Sequence, residues 1–177
     1  MTIKELQPSA IWGYFHDITQ IPRPSKKEEK ILAYLLDFAK QHQLETRQDK
    51  AGNVVITKPA TPGKEDVPTV ILQSHVDMVC EKNAGVEHDF DNDPIQTVIE
   101  GDWIKAKGTT LGADNGIGVA AQLAILAAND LSHGKIEALF TVDEETGLTG
   151  ANSLEKGFLT GDLLINLDTE EEGEIYI

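Results

Sequence analysis

Val70-Ile71-Leu72-Gln73-Ser74-His75-Val76-Asp77 begins as an apolar run and closes on an imidazole and a carboxylate. An apolar run without polar alternation marks a strand buried on both faces, the kind a helix-covered parallel sheet contains. Two later runs repeat the design. Ala138-Leu139-Phe140-Thr141-Val142-Asp143 leads into Glu144 and Glu145, and Leu163-Leu164-Ile165-Asn166-Leu167 leads into Asp168. Stretches with helical spacing lie between them, so the expected class is α/β: a mostly parallel or mixed open sheet with helices on both faces. In such a sheet several strand ends deliver their side chains to one edge, where ligands bind.

Working outward, residues Pro8 to Ile18 and Lys26 to Gln43 carry helical spacing, with Ile31, Leu32, Leu35, Leu36 and Ala39 as one apolar stripe. Ser25, followed three positions later by Glu28, reads as a capping box. Asp49 to Asn53 is a turn, Val54 to Thr57 a short strand, and the prolines from Pro59 to Pro68 mark a loop. Gln96 to Ile99 and Trp103 to Ala106 flank Glu100-Gly101-Asp102 as a hairpin. Ile117 to Ala128, rich in alanine and apolar nearly all round, reads as a helix buried between other elements. Glu170 to Glu172 form a solvated acidic run, and the residues after Gly173 resemble the start of another strand.

The 177 residues, 40% hydrophobic and 25% charged, suffice for one domain, or part of one, with a sizeable core. A formal net charge of −15 repels phosphates, which argues against nucleic acid and anionic membranes as partners and favours the gathering of cations. No apolar leader follows Met1 and no run approaches the roughly 18 apolar residues of a membrane span, so a cytoplasmic location is expected. Cys80, the single cysteine, can form no internal disulfide and reads as an incidental thiol.

The chemistry lies in His75, Asp114, Glu144, Glu145 and Asp168. Carboxylate oxygen with neutral imidazole nitrogen suits zinc, manganese or cobalt better than calcium, which prefers oxygen alone. If the strand continues through Val76, His75 and Asp77 share a face, and Asp77 is placed to accept the second ring N–H and fix the tautomer. Glu144 and Glu145 are adjacent, so only one readily takes a given direction; one would be a ligand and the other a general base. Asp114 stands between Gly112 and Gly116, whose small size would let backbone and metal approach closely. Taken singly, each carboxylate is an ordinary turn or cap residue; their joint placement points to a metal-dependent hydrolase. His16, His42, His88 and His133 show no partner pattern. Gly116-Ile117-Gly118-Val119-Ala120-Ala121 imitates a dinucleotide fingerprint, but no apolar strand precedes it and Asp114 would repel a pyrophosphate. Asp89 to Glu100 imitates a calcium loop, with Pro94 where that loop needs glycine.

These residues resemble the cocatalytic zinc peptidase family of dipeptidases, tripeptidases and aminoacylases, and within it the aminoacyl-histidine dipeptidase branch. The resemblance is carried by Ile21-Pro22-Arg23-Pro24-Ser25, Leu72-Gln73-Ser74-His75-Val76-Asp77-Met78-Val79, Thr110-Leu111-Gly112-Ala113-Asp114-Asn115-Gly116, Leu139-Phe140-Thr141-Val142-Asp143-Glu144-Glu145-Thr146-Gly147 and Asn166-Leu167-Asp168. It implies two divalent ions, zinc first, with manganese or cobalt as alternatives. His75 and Asp168 would bind one ion, Asp114 would bridge both, and Glu145 would bind the second. Asp77 would orient His75, and Glu144 would take a proton from a metal-bridging water that attacks the dipeptide bond. A cis peptide at Asp114-Asn115 and a homodimer of the complete enzyme are also implied. Family members continue into a lid or dimerisation domain and a returning segment with one more metal-binding histidine. Residues 1–177 are therefore expected to be the N-terminal part of the catalytic domain, with an exposed sheet edge and little or no activity alone. A tripeptidase or N-deacylase of the same family, or a non-catalytic metal-binding piece, is the alternative.

Overall fold

The computed structural model describes residues 2–169 and 173, so the acidic run at Glu170 to Glu172 and the strand start after Gly173 lie outside the described residues. The elements in order are α1 (Ser9–Thr19), α2 (Glu29–Gln41), β1 (Glu45–Gln48), β2 (Val54–Lys58), β3 (Val70–His75), β4 (Thr97–Glu100), β5 (Trp103–Ala106), α3 (Ala113–Ala127), β6 (Ile136–Thr141), α4 (Thr149–Asn152) and β7 (Leu163–Asn166). Five strands form a sheet in the order β1-β2-β6-β3-β7, and β4 and β5 form the separate hairpin. The sheet is mixed: β1-β2 and β2-β6 are antiparallel, while β6-β3 and β3-β7 are parallel. The three unbroken apolar runs make the parallel half, and β6 at the centre is buried at every residue.

The sheet is covered unequally. Phe15 and Ile18 from α1, Ile31 and Leu35 from α2, and Val119 and Leu123 from α3 share one core with Val54, Ile56, Ala138 and Phe140. The alternating neighbours Val55, Ile71 and Leu139 point to the opposite face, where Leu154, Phe158 and Leu159 pack on them. The α/β class and mixed sheet are as expected; among the described residues the three long helices share one core, and a loop after α4 covers the other face. Among the described residues β7 forms an edge, with Leu163, Leu164 and Ile165 each at least half exposed.

Local rules explain most elements. In α2 the buried positions are Ile31, Leu35, Phe38 and Ala39, while Leu36, expected in the stripe, is exposed. The β1-β2 turn closes on Asp49, whose carboxylate accepts the N–H groups of Ala51, Gly52 and Asn53 at 2.9 Å each. Buried Lys58 at the end of β2 donates to the carbonyls of Ile125, Leu126 and Ala128, satisfying the C-terminus of α3. One local rule fails. Ser25 and Glu28 form no capping box: Glu28 is the N-cap residue of α2 without a side-chain cap bond, the Ser25 hydroxyl donates to Asp77 Oδ2 at 2.7 Å, and Glu28 Oε1 accepts from Lys26 N and Asp143 N. No helix of the described residues is long and apolar enough to cross a membrane.

Candidate metal centre

His75, at the end of β3, is 1% exposed and lies within reach of four carboxylates. Its Nε2 is 2.9 Å from Asp114 Oδ1, 3.8 Å from Asp168 Oδ2 and 3.9 Å from Glu144 Oε2. Its Nδ1 is 3.3 Å from Asp77 Oδ1, close enough for charge attraction but without an aligned hydrogen bond. Donor atoms of His75, Asp114 and Asp168 lie within 4.8 Å of one another, and so do those of His75, Glu144 and Glu145. All the expected site residues therefore meet at one place, with His75 common to both groups.

Glu144 and Glu145 both reach His75, contrary to the expectation that only one could. The chain after β6 does not stay extended: Asp143 takes a left-handed conformation with φ 49°. The turn is then held from below, because the N–H groups of Glu144 and Glu145 donate to the two Asp77 oxygens at 3.1 and 3.2 Å. Asp77, fully buried, thus serves both the imidazole and the turn that carries the glutamates. Behind it lie Glu28 and Asp143, a third buried carboxylate group.

Asp114 arrives by a different device. Gly112 is left-handed, with φ 69°, the Asp114-Asn115 peptide is cis as expected, and regular helix begins only at Gly116. Asn115 Nδ2 donates to Leu167 O at 3.0 Å, which ties the start of α3 to the loop bearing Asp168. The reading of Gly112 and Gly116 as space for a metal is corrected. Side chains built there would strike the guanidinium of Arg23, which is 2% exposed and donates to Val76 O at 2.9 Å, Asp77 O at 2.8 Å and Gly112 O.

Residues 71–174 match the model of peptidase family M20/M25/M40. The chain belongs to this family. It is 49% identical over 175 residues to the cytosol non-specific dipeptidase of Escherichia coli, covering 99% of this chain and 36% of that one. The crystal structure of an aminoacylhistidine dipeptidase from Vibrio alginolyticus superposes with a TM-score of 0.95 at 52% identity, covering 98% of this chain and 35% of that one. A tripeptidase structure from Staphylococcus aureus gives 0.78 at 26% identity, over 93% of this chain and 44% of that one. The chain thus spans little more than a third of the length of the two dipeptidases.

The electrostatics of this M20/M25/M40 chain fit a cation at the site. Burial alone would lower the His75 pKa, but contacts with Asp77 and Asp114 and the charge of Asp168 raise it to about 9. Burial pushes Glu144 and Glu145 up, and the surrounding acids add to the rise. Asp77 moves the other way: burial is outweighed by His75, the two backbone N–H groups and Ser25, which hold its pKa at about 2. Arg23, lowered by burial to about 10, stays charged at neutral pH. Crowded carboxylates with a proton held on the imidazole between them are the surroundings a divalent ion would relieve. The donors are nitrogen and oxygen only, and Cys80 belongs to neither group around His75, which matches zinc, manganese or cobalt.

The sequence reading assigned no role to Arg23 and gave Ser25 and Glu28 a different one. An arginine between two prolines, with no acidic partner in sequence, was the available signal for the first. The remaining histidines stay outside the site: His42 lies 4.4 Å from the Phe38 ring, His88 packs edge-on against Phe90, and His133 Nδ1 meets Gly134 O. The calcium-loop imitation is a turn in which Asp89 accepts from Asp91 N and Asn92 Nδ2.

Proposed function

We propose that these residues form the N-terminal part of the catalytic domain of a dinuclear metallopeptidase that hydrolyses dipeptides, aminoacyl-histidine dipeptides first among them. The observation that carries this reading is the sharing of buried His75 by two carboxylate pairs, all within 4.8 Å in each group. In this reading His75, Asp168, Asp114 and Glu145 would hold the two ions, His75 and Asp168 serving one, Glu145 the other and Asp114 both. The ions, zinc first and manganese or cobalt as alternatives, would supply Lewis-acid polarisation and a water of lowered pKa. Asp77 keeps His75 and the turn that carries Glu144 and Glu145 oriented. Glu144, whose pKa is raised, takes the proton of the attacking water on its carboxylate and returns it to the leaving amine.

The names of the Escherichia coli and Vibrio relatives support a dipeptide substrate; a lid or dimerisation domain and a closing segment elsewhere in the protein belong to the same proposal. A cytoplasmic homodimer completes the proposal. A tripeptidase is the second reading, favoured by the likeness to the staphylococcal structure. Glu144→Gln in the full-length protein tests the assignment. Hydrolysis of an aminoacyl-histidine dipeptide should fall by about 10²–10⁴-fold, the usual contribution of a general base, with metal content unchanged. Loss of metal would make Glu144 a ligand, and retained turnover would remove it from the chemistry. Residues 1–177 alone should turn over far less substrate than the full-length protein.

A further inference from the structure

We infer that Arg23 is a positioning residue of the metal centre: its guanidinium ties the end of β3, which carries His75 and Asp77, to the entrance of α3, which carries Asp114. The inference rests on the proposed reading of those residues as the metal site. Arginine offers five N–H donors in a rigid planar fork. Here Nη1 spans the carbonyls of Val76 and Asp77 at 2.9 and 2.8 Å, and Nη2 takes the carbonyl of Gly112. The two loops so joined are 53 to 89 residues from Arg23 in sequence.

The setting is built for this side chain. Gly112 and Gly116 both lack the Cβ that would meet Nη2. Arg23 O accepts from Met78 N at 3.2 Å, and Pro24 pairs with Met78 in a short parallel bridge, so the backbone beneath is fixed as well. No ion pair among the described residues includes Arg23, although Asp77, Asp114, Glu145 and Cys80 all feel its charge. A buried cation without a bonded carboxylate is costly, and its hydrogen bonds to three carbonyls, together with the charges of the nearby acids, offset burial. The same turn reaches the other parts of the site through Ser25 to Asp77 and Glu28 to Asp143 N.

Charge and position make opposite predictions. A fixed cation beside a metal site repels the metal, so loss of charge alone would tighten binding. Loss of position would weaken it. The test is calorimetric titration of zinc into the full-length protein, stripped of metal, as wild type, Arg23→Lys, Arg23→Met and Gly116→Ala. Gly116→Ala keeps the arginine and suits a helix, yet its Cβ would stand 2.8 Å from Nη2 and displace the fork. All three variants should lose at least about tenfold in zinc affinity, the effect of disturbing the support of a ligand. Arg23→Lys should show partial rescue relative to Arg23→Met. Tighter binding by Arg23→Met with unchanged binding by Arg23→Lys would overturn positioning in favour of charge. Should the arginine variants not fold, Gly116→Ala with wild-type helicity and wild-type affinity would overturn it equally. A wild type that binds no zinc refutes the metal reading and this role with it, whereas a binding wild type with equally binding variants refutes only the role of Arg23.

Discussion

If His75 is a metal ligand as proposed, its raised pKa would make zinc uptake a proton exchange whose size can be worked out. With the imidazole at about 9, His75 is about 90% protonated at pH 8, whereas a histidine near 6.5 would be only about 3% protonated. A metal ligand must be neutral, so zinc has to displace that proton. At pH 7 the competition spans about two pKa units and weakens zinc binding by about 100-fold, or about 2.7 kcal/mol; at pH 8 the factor is about ten. Titration of the metal-stripped protein in two buffers of different ionisation enthalpy should reveal about one proton released per His75 at pH 8. Apparent affinity should rise about tenfold per pH unit from 7 to 9 and then level off. The same shift has a stability sign: because the folded pKa is raised, the contribution is complete below about 6.5 and is lost as pH rises through about 9, a change of about 3 kcal/mol in the metal-free protein. Zinc binding with no proton released at pH 8, and no pH dependence between 7 and 9, would refute the argument, since either His75 would not be a ligand or Asp77 and Asp114 would not hold its proton.

Two further substitutions test the scaffold. Lys58→Met removes the ammonium that satisfies three carbonyls at the end of α3, and urea unfolding should show a loss of about 1.5–3 kcal/mol, the worth of a charged hydrogen-bonding group; a loss under about 0.5 kcal/mol would contradict that role. Gly150→Ala would press a methyl against Val142 O and Asn53 Oδ1, beside the turn that carries Glu144, and should cost about 1–3 kcal/mol by overpacking, read from the thermal midpoint; a neutral result would mean that the turn has room to move.

The sequence was informative where burial leaves one solution. The runs ending at His75 and Thr141 read as strands because a covered sheet hides consecutive apolar side chains; the run ending at Asn166 pairs with β3 as well, although its side chains are exposed. β1 was not legible: Glu45-Thr46-Arg47-Gln48 is polar throughout and becomes a strand only by pairing with β2. The site followed the same division. His75, Asp114, Glu144, Glu145 and Asp168 could be picked out because strand ends and a helix mouth are local features. The joint approach of both glutamates could not, because it depends on a left-handed Asp143 and on Asp77 oxygens 67 and 68 residues away. Ser25 and Glu28 obeyed a local capping rule and were used elsewhere, since partners on β3 and β6 compete for the same oxygens. Arg23 was hidden for a related reason: its partners are backbone carbonyls, which leave no trace in side-chain pattern.

The distribution of charge also explains why so many acids can be gathered in a protein already at −15. Like charges at this spacing repel, and this repulsion adds to burial, the larger cause, in raising Glu144 and Glu145. Two cations offset it in the metal-free state: the buried guanidinium of Arg23 beneath the loops, and the imidazolium of His75 at their centre. Only the second occupies a position from which ligand atoms radiate, so only it stands where a divalent ion would bind. The two cations therefore divide the work. Arg23, held by carbonyls rather than carboxylates, leaves the acids free and stays in place whatever they bind. On the proposed reading His75 would give up its proton to an arriving metal, so the acids that identify the centre would have a counter-charge in either state.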